Sequence, residues 1–127
     1  MSFRWLDRRV AKPGPYLTLV LSEKELDSAV KRLTTEKLHF PTSGATCFTL
    51  ENNKGDLCAV IALSCNVQNH CSAIEIAGLL IHEAVHVWQA YAADSINEKY
   101  PSSEQEAYAI QGISQELLAE YARRITK

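Results

Sequence analysis

The sequence of 127 residues lacks both an excess of charge and a long apolar run. Thirteen basic and fifteen acidic residues give a formal net charge of -2, which excludes a strongly basic nucleic-acid-binding protein and an acidic tail. It contains no run of eighteen apolar residues and no N-terminal apolar stretch of the secretory type. We therefore expect no membrane partner and a cytoplasmic location. With 46% hydrophobic residues, the composition predicts one globular domain over residues 1–127.

Paired cysteines of the kind that bind zinc or form a disulfide framework are also missing. The four cysteines show no CxxC spacing, and a chain of this length can form a core without disulfides. We expect all four to be reduced thiols: Cys47, Cys58, Cys65 and Cys71. The spacing of Cys65, His70 and Cys71 matches no paired zinc pattern. Residues 64–71 are therefore predicted to be an exposed loop.

Apolar and β-branched runs predict three strands, at residues 16–21, 46–51 and 56–63. The second and third flank a short Asn/Gly loop, which is typical of a β-hairpin. The third strand is apolar on both faces, so helices are expected to cover it. A loop is expected at residues 94–101.

Helical spacing of apolar residues predicts helices at residues 22–34, 73–93 and 103–125, the first two opened by Ser/Glu capping boxes. The two long helices have a short connection, which favours an antiparallel pair. The expected fold class is α+β: a small, mostly antiparallel sheet packed on the two long helices, which carry the motif described next and a downstream glutamate.

The first long helix contains the pattern HExxH, formed by His82, Glu83 and His86. Residues four apart lie on the same face of a helix, so two imidazoles can bind one zinc ion while the intervening glutamate reaches a water molecule beside it. His82 and Glu83 interrupt an otherwise apolar stretch, where a buried polar group needs a partner. The spacing indicates His82 and His86 as zinc ligands and Glu83 as a general base.

A catalytic zinc ion needs one more protein ligand. No histidine follows His86, which excludes the metzincin pattern. An upstream cysteine is an alternative of the kind found in peptide deformylases, but Cys47 lies in a segment that indicates a packing residue of a strand. The remaining candidates are Glu104 and Glu106. Because Ser103 and Glu106 have capping-box spacing, which gives Glu106 a structural role, Glu104 is the predicted ligand.

These residues resemble the gluzincin metallopeptidases, in which the third ligand lies in an ExxA-type segment on the helix after HExxH. The segment from Glu104 to Tyr108 is similar to it, and the resemblance covers about residues 82–111. It is closest to the small single-domain minigluzincins and to short phage-type metallopeptidases. The family often has an aspartate, which orients a ligand histidine, where this sequence has Tyr108. The resemblance thus implies that Tyr108 either orients a ligand or faces the substrate.

The expected function is zinc-dependent hydrolysis of a peptide or protein substrate, with Glu83 taking a proton from water. Either arm of the hairpin could bind the substrate by strand addition if it lies at an edge. Two alternatives remain open: a catalytically silent domain stabilised by zinc, and a deformylase-like amidase with a cysteine ligand. The sequence indicates neither the specificity nor the oligomeric state.

Several residues near the motif are assigned structural roles. Gln89 lies three residues after His86 on the same helix face and could contact the site, but a hydrogen bond between helices is its expected role. The aromatic residues at helical spacing are expected in the core: Trp88, Tyr91 and Tyr121. His39 and His70 are predicted to be exposed. Residues 1–15 are expected to form a docked or frayed terminus, with an inhibitory segment over the site as the alternative.

Overall fold

The computed structural model describes residues 2–6, 15–95 and 103–126, and it confirms the α+β class. The four strands are β1 (Trp5–Leu6), β2 (Tyr16–Val20), β3 (Ala45–Glu51) and β4 (Leu57–Leu63). The four helices are α1 (Glu23–Val30), α2 (Cys65–His70), α3 (Ala73–Ser95) and α4 (Ser103–Ile125). None of the helices in these ranges is long and apolar enough to cross a membrane.

The strands form one mixed sheet in the order β1-β2-β4-β3. The β1–β2 and β3–β4 pairs are antiparallel, as the mostly antiparallel expectation requires, whereas β2 and β4 are parallel. The parallel pair arises because α1 and β3 both intervene before the chain returns beside β2. Of the two hairpin arms, only β3 lies at an edge of the described sheet. The expectation that either arm could be an edge strand is therefore wrong for β4.

Every residue of β4 is buried, because the sheet is covered on both faces. Leu57, Ala59, Ile61 and Leu63 belong to the larger core, which contains buried residues of α3 and α4. The alternate residues, Val60 and Ala62, pack with Leu26 and Val30 of α1 in a second core. This two-sided burial accounts for the continuous apolar sequence of the strand.

Helix α1 begins as predicted but ends earlier than residue 34. Its start is capped by Ser22, whose Oγ accepts a hydrogen bond from the backbone N–H of Glu25 at 3.2 Å. After Val30 the chain turns, and the N–H groups of Leu33 and Thr34 both bond to the Val30 carbonyl, at 2.8 and 3.1 Å. The next two residues, Lys31 and Arg32, are exposed, so packing does not extend the helix further.

The prediction of a loop at residues 64–71 is wrong, since this segment contains the short helix α2. Ser64 caps the helix by accepting the N–H of Val67 at 3.2 Å, and Val67 is buried in the larger core. Gln68 then donates from Nε2 to the carbonyl oxygens of Leu21 and Leu63, at 3.0 and 2.7 Å. The Ser64 cap and the burial of Val67 therefore stabilise a helix that has too few apolar residues to be predicted from periodicity.

The two long helices follow the prediction closely. Ser72 and Glu75 form the predicted reciprocal capping box at the start of α3, with N–H contacts of 2.9 and 3.2 Å. Helix α3 continues to Ser95, so residues 94 and 95 are helical where a loop was predicted, and residues 96–102 lie outside the described ranges. Helix α4 spans the predicted residues.

Residues 2–6 are docked at the β1 edge of the sheet, opposite the β3 edge. Strand β1 pairs with β2, and the Arg4 Nε atom lies 3.2 Å from a carboxylate oxygen of Glu120 on α4. Arg123 donates to the Ser2 carbonyl at 3.0 Å. The prediction of a docked terminus is therefore confirmed for residues 2–6, while residues 7–14 lie outside the described ranges.

Candidate metal centre and active-site cleft

A cleft of about 660 Å³ lies between α3 and the edge strand β3. Residues from both elements line it: Ala45, Thr46, Cys47, Thr49, His82, Glu83, His86, Gln89 and Ala90. The three HExxH residues thus lie together in a concave surface beside an edge strand, as the helical spacing predicts.

The two histidines of the motif have the separation that one zinc ion requires. Their Nε2 atoms are 3.2 Å apart, and the rings are nearly perpendicular, at 76°. Two nitrogens each about 2.05 Å from a tetrahedral zinc ion would be about 3.3 Å apart. The Nε2–Nε2 distance is therefore compatible with one shared metal ion, and both histidines are exposed.

Glu83 is the buried acidic group of the cleft, with only 5% of its surface exposed. Burial raises the pKa of its carboxyl group above the ordinary value, against the opposing charges of His86 and His82. A carboxylate that is partly desolvated in this way is a stronger proton acceptor than one in water. Its environment suits the general base predicted from the sequence.

Gln89 contacts the site, which corrects the prediction of a hydrogen bond between helices. Its Oε1 atom lies 3.1 Å from Nδ1 of His86. The two residues are three apart on α3 and so share a face. The three-residue spacing of His86 and Gln89 is the only signal of this contact in the sequence. That spacing does not distinguish a contact with His86 from a contact with another helix.

Cys47 also lines the cleft, although the sequence favoured a packing role for it over that of a metal ligand. It packs partly against the larger core and lines the cleft together with the HExxH residues. Burial, assisted by the negative charge of Glu83, raises the pKa of its thiol to about 12. Cys47 lies in the cleft because the fold places β3 next to α3, and no local sequence pattern indicates this arrangement.

The glutamates at the start of α4 differ in direction. Trp88 on α3 donates from Nε1 to Oε2 of Glu106 at 3.0 Å, so the partner of Glu106 is Trp88 and not the predicted cap residue, Ser103. Residues two apart on a helix project about 200° from each other. Glu104 and Glu106 are both exposed, and Tyr108, one turn after Glu104, is 68% exposed.

The predicted third ligand is not beside the histidines in this structure. Within residues 2–6, 15–95 and 103–126, no group of three or more His, Cys, Asp or Glu side chains converges to hold a metal ion. Neither Glu104 nor Tyr108 lines the cleft. The connection directly before α4, residues 96–102, lies outside the described ranges. The structure thus brings together two of the three predicted ligands and the predicted base.

The remaining structural assignments agree with the sequence. Trp88 and Tyr91 are buried, and Tyr121 packs against the same core. His39 and His70 are exposed. All four cysteines are free thiols, with Cys58 buried in β4.

Comparison of the chain with protein-family models, with curated proteins and with solved structures finds no match.

Proposed function

We propose that this chain is a zinc-dependent peptidase in which His82 and His86 bind the metal ion and Glu83 is the general base. The observation that carries the proposal is the pair of imidazole Nε2 atoms 3.2 Å apart, with a buried carboxylate between them in sequence and an open cleft in front of them. Two neutral nitrogen ligands, a base and space for a substrate are the parts that metal-assisted hydrolysis requires.

The chain's own groups supply the proton transfers of the reaction. Zinc, when bound, polarises the scissile carbonyl and lowers the pKa of water. Glu83 accepts the proton of the attacking water molecule and delivers it to the nitrogen of the leaving amine. Glu83 is buried on α3, and its carboxylate interacts electrostatically with both imidazoles. The products are a carboxylic acid and an amine.

Strand β3 is suited to hold the substrate. It lies at the edge of the described sheet, and Ala45, Thr46, Cys47 and Thr49 line the cleft. An extended peptide can pair with the free edge of a strand through backbone hydrogen bonds. A peptide bound in this way would cross the cleft beside His82 and His86, which favours a peptide substrate over a compact small molecule.

The third metal ligand is proposed to be Glu104, on the resemblance of its segment to the gluzincins. One observation supports a second candidate function, a deformylase-like amidase: Cys47 lines the same cleft as the two histidines. A thiolate ligand from β3 would complete a Cys-His-His set. Glu106 is a further candidate, because it projects towards α3 and contacts Trp88, two residues after His86.

The activity test compares the wild-type chain with Glu83→Gln, using zinc-loaded protein and a mixture of unstructured peptides analysed by mass spectrometry. Glu36→Gln is the matched control, because Glu36 is exposed and outside the cleft. We expect Glu83→Gln to keep its zinc and its fold while cleavage falls about 10²- to 10⁴-fold. Wild-type protein that binds zinc without cleaving any peptide would instead support the catalytically silent domain.

Metal analysis of three further variants identifies the third ligand. Glu104→Gln, Glu106→Gln and Cys47→Ser each remove one candidate donor with little change in volume. Zinc lost only from Glu104→Gln supports the gluzincin-like arrangement, and zinc lost only from Cys47→Ser supports the amidase. Zinc lost only from Glu106→Gln would make Glu106 the third ligand, and full retention by all three variants would contradict all three assignments.

A further inference from the structure

The two histidines of the motif have different hydrogen-bonding environments. His86 has a neighbour at each ring nitrogen: Gln89 Oε1 lies 3.1 Å from Nδ1, and His82 Nε2 lies 3.2 Å from Nε2. We propose that Gln89 is a positioning residue that fixes the tautomer and the ring orientation of His86, and so directs its Nε2 lone pair at the metal. The inference rests on the proposed function, in which His86 is a ligand.

The tautomer follows from the chemistry of the amide. A carbonyl oxygen accepts hydrogen bonds and donates none, so a contact with Gln89 Oε1 requires the proton of a neutral His86 ring to be on Nδ1. Nε2 is then unprotonated and available as a ligand. In the metal-free protein the same atom accepts a hydrogen bond, and the Nε2–H of His82 is the donor. The two rings should therefore have opposite tautomers before any metal binds.

The orientation of the amide decides whether this residue helps or hinders binding. If the Gln89 amide nitrogen faced His86, Nδ1 would be the acceptor and the ring proton would be on Nε2, directed at the metal position. Metal binding would then require loss of that proton or rotation of the ring. With the oxygen facing His86, no such change is needed, and the ring is held for coordination.

The position of Gln89 suits this role. It lies one helical turn after His86 on α3, so the contact requires no distortion of the helix. Its side chain also lines the cleft. Hydrogen-bond partners of ligand histidines typically account for 10- to 100-fold in metal affinity. Because Gln89 is exposed and its acceptor is neutral, we expect about ten-fold here, at the lower end of that range.

The test measures tautomers and affinity in the same set of variants. Long-range ¹H–¹⁵N spectra of the metal-free protein at pH 8.5 report which ring nitrogen carries the proton. Zinc affinity is measured by competition with a chelator. Gln89→Leu removes the acceptor, Gln89→Glu retains it, and Gln115→Leu is the control for an exposed glutamine elsewhere, on α4. Circular dichroism checks that each variant is folded.

We expect His86 in the Nδ1–H form in the wild type, a mixture of tautomers in Gln89→Leu, and recovery of the Nδ1–H form in Gln89→Glu. Zinc affinity should fall about ten-fold in Gln89→Leu and remain unchanged in Gln115→Leu. Wild-type zinc binding with His86 in the Nε2–H form, or unchanged affinity in Gln89→Leu, would overturn the role of Gln89 and leave the proposed function intact. A wild-type protein that binds no zinc would overturn both.

Discussion

Replacing Glu120 by glutamine is expected to destabilise the protein at neutral pH and to have less effect in acid. The Glu120 side chain is fully buried, and Arg123 donates to both carboxylate oxygens, at 2.8 and 2.7 Å. Arg4 adds a third contact at 3.2 Å. Although burial alone opposes ionisation, the hydrogen bonds and charges of Arg123 and Arg4 hold the pKa of Glu120 below its ordinary value.

The expected loss of stability in Glu120→Gln depends on which interactions of Glu120 the glutamine side chain can still form. Loss of one partner of a fully buried ion pair costs about 3 to 5 kcal/mol. Here Arg4 is 60% exposed and Arg123 is 27% exposed, so solvent compensates part of the loss. The amide also still accepts one hydrogen bond. We therefore expect the free energy of unfolding to fall by about 1 to 2 kcal/mol at pH 7.

The pH dependence has a defined sign. A carboxylate whose folded-state pKa is lowered stabilises the fold above its unfolded pKa of about 4.3, and this contribution is lost as the pH falls through the folded value. The difference between wild type and Glu120→Gln should be full at pH 7 and should shrink below about pH 4. Urea unfolding at pH 7 and below about pH 4 measures this difference in stability, with Glu36→Gln as the exposed control. A difference that is the same at both pH values would refute the ionic role of Glu120.

Two further predictions concern the cleft thiol and the terminus. Since the Cys47 pKa is raised to about 12, iodoacetamide at pH 8 should alkylate metal-free protein at the exposed Cys65 at least about 100-fold faster than at Cys47; equal rates by mass spectrometry would contradict this burial. A chain that starts at Pro15 loses β1 and the Arg4–Glu120 pair. Its free energy of unfolding should be about 2 kcal/mol lower than that of the full chain. It should cleave peptides no faster than the full chain, whereas a large gain in cleavage would show that residues 1–14 are inhibitory.

The long elements were predictable because each has a repeated signal. Helices α3 and α4 each have apolar residues at helical spacing along 23 residues. Strand β4 is apolar throughout because both of its faces are covered. The shorter elements lack such repetition. Helix α2 depends on Ser64 and Val67, and the two-residue strand β1 forms because the edge of β2 is available to it.

The site was predictable to the extent that it is local to one helix. His82, Glu83 and His86 are placed by the helical repeat alone, and the structure brings them together in the cleft. Cys47 could not be assigned to the cleft, because its position depends on which strand of the sheet lies next to α3. The contact of Gln89 with His86 depends on side-chain rotamers, which the sequence does not specify.

Zinc titration of the metal-free protein and of four histidine variants measures whether His82 and His86 bind a metal ion. His82→Ala and His86→Ala each remove one half of the pair whose Nε2 atoms are 3.2 Å apart, while His39→Ala and His70→Ala are controls at exposed positions. We expect about one zinc ion per molecule in the wild type and in both controls, and loss of stoichiometric binding in both cleft variants. Full zinc retention by His82→Ala or His86→Ala, or no zinc binding by the wild type, would contradict the account.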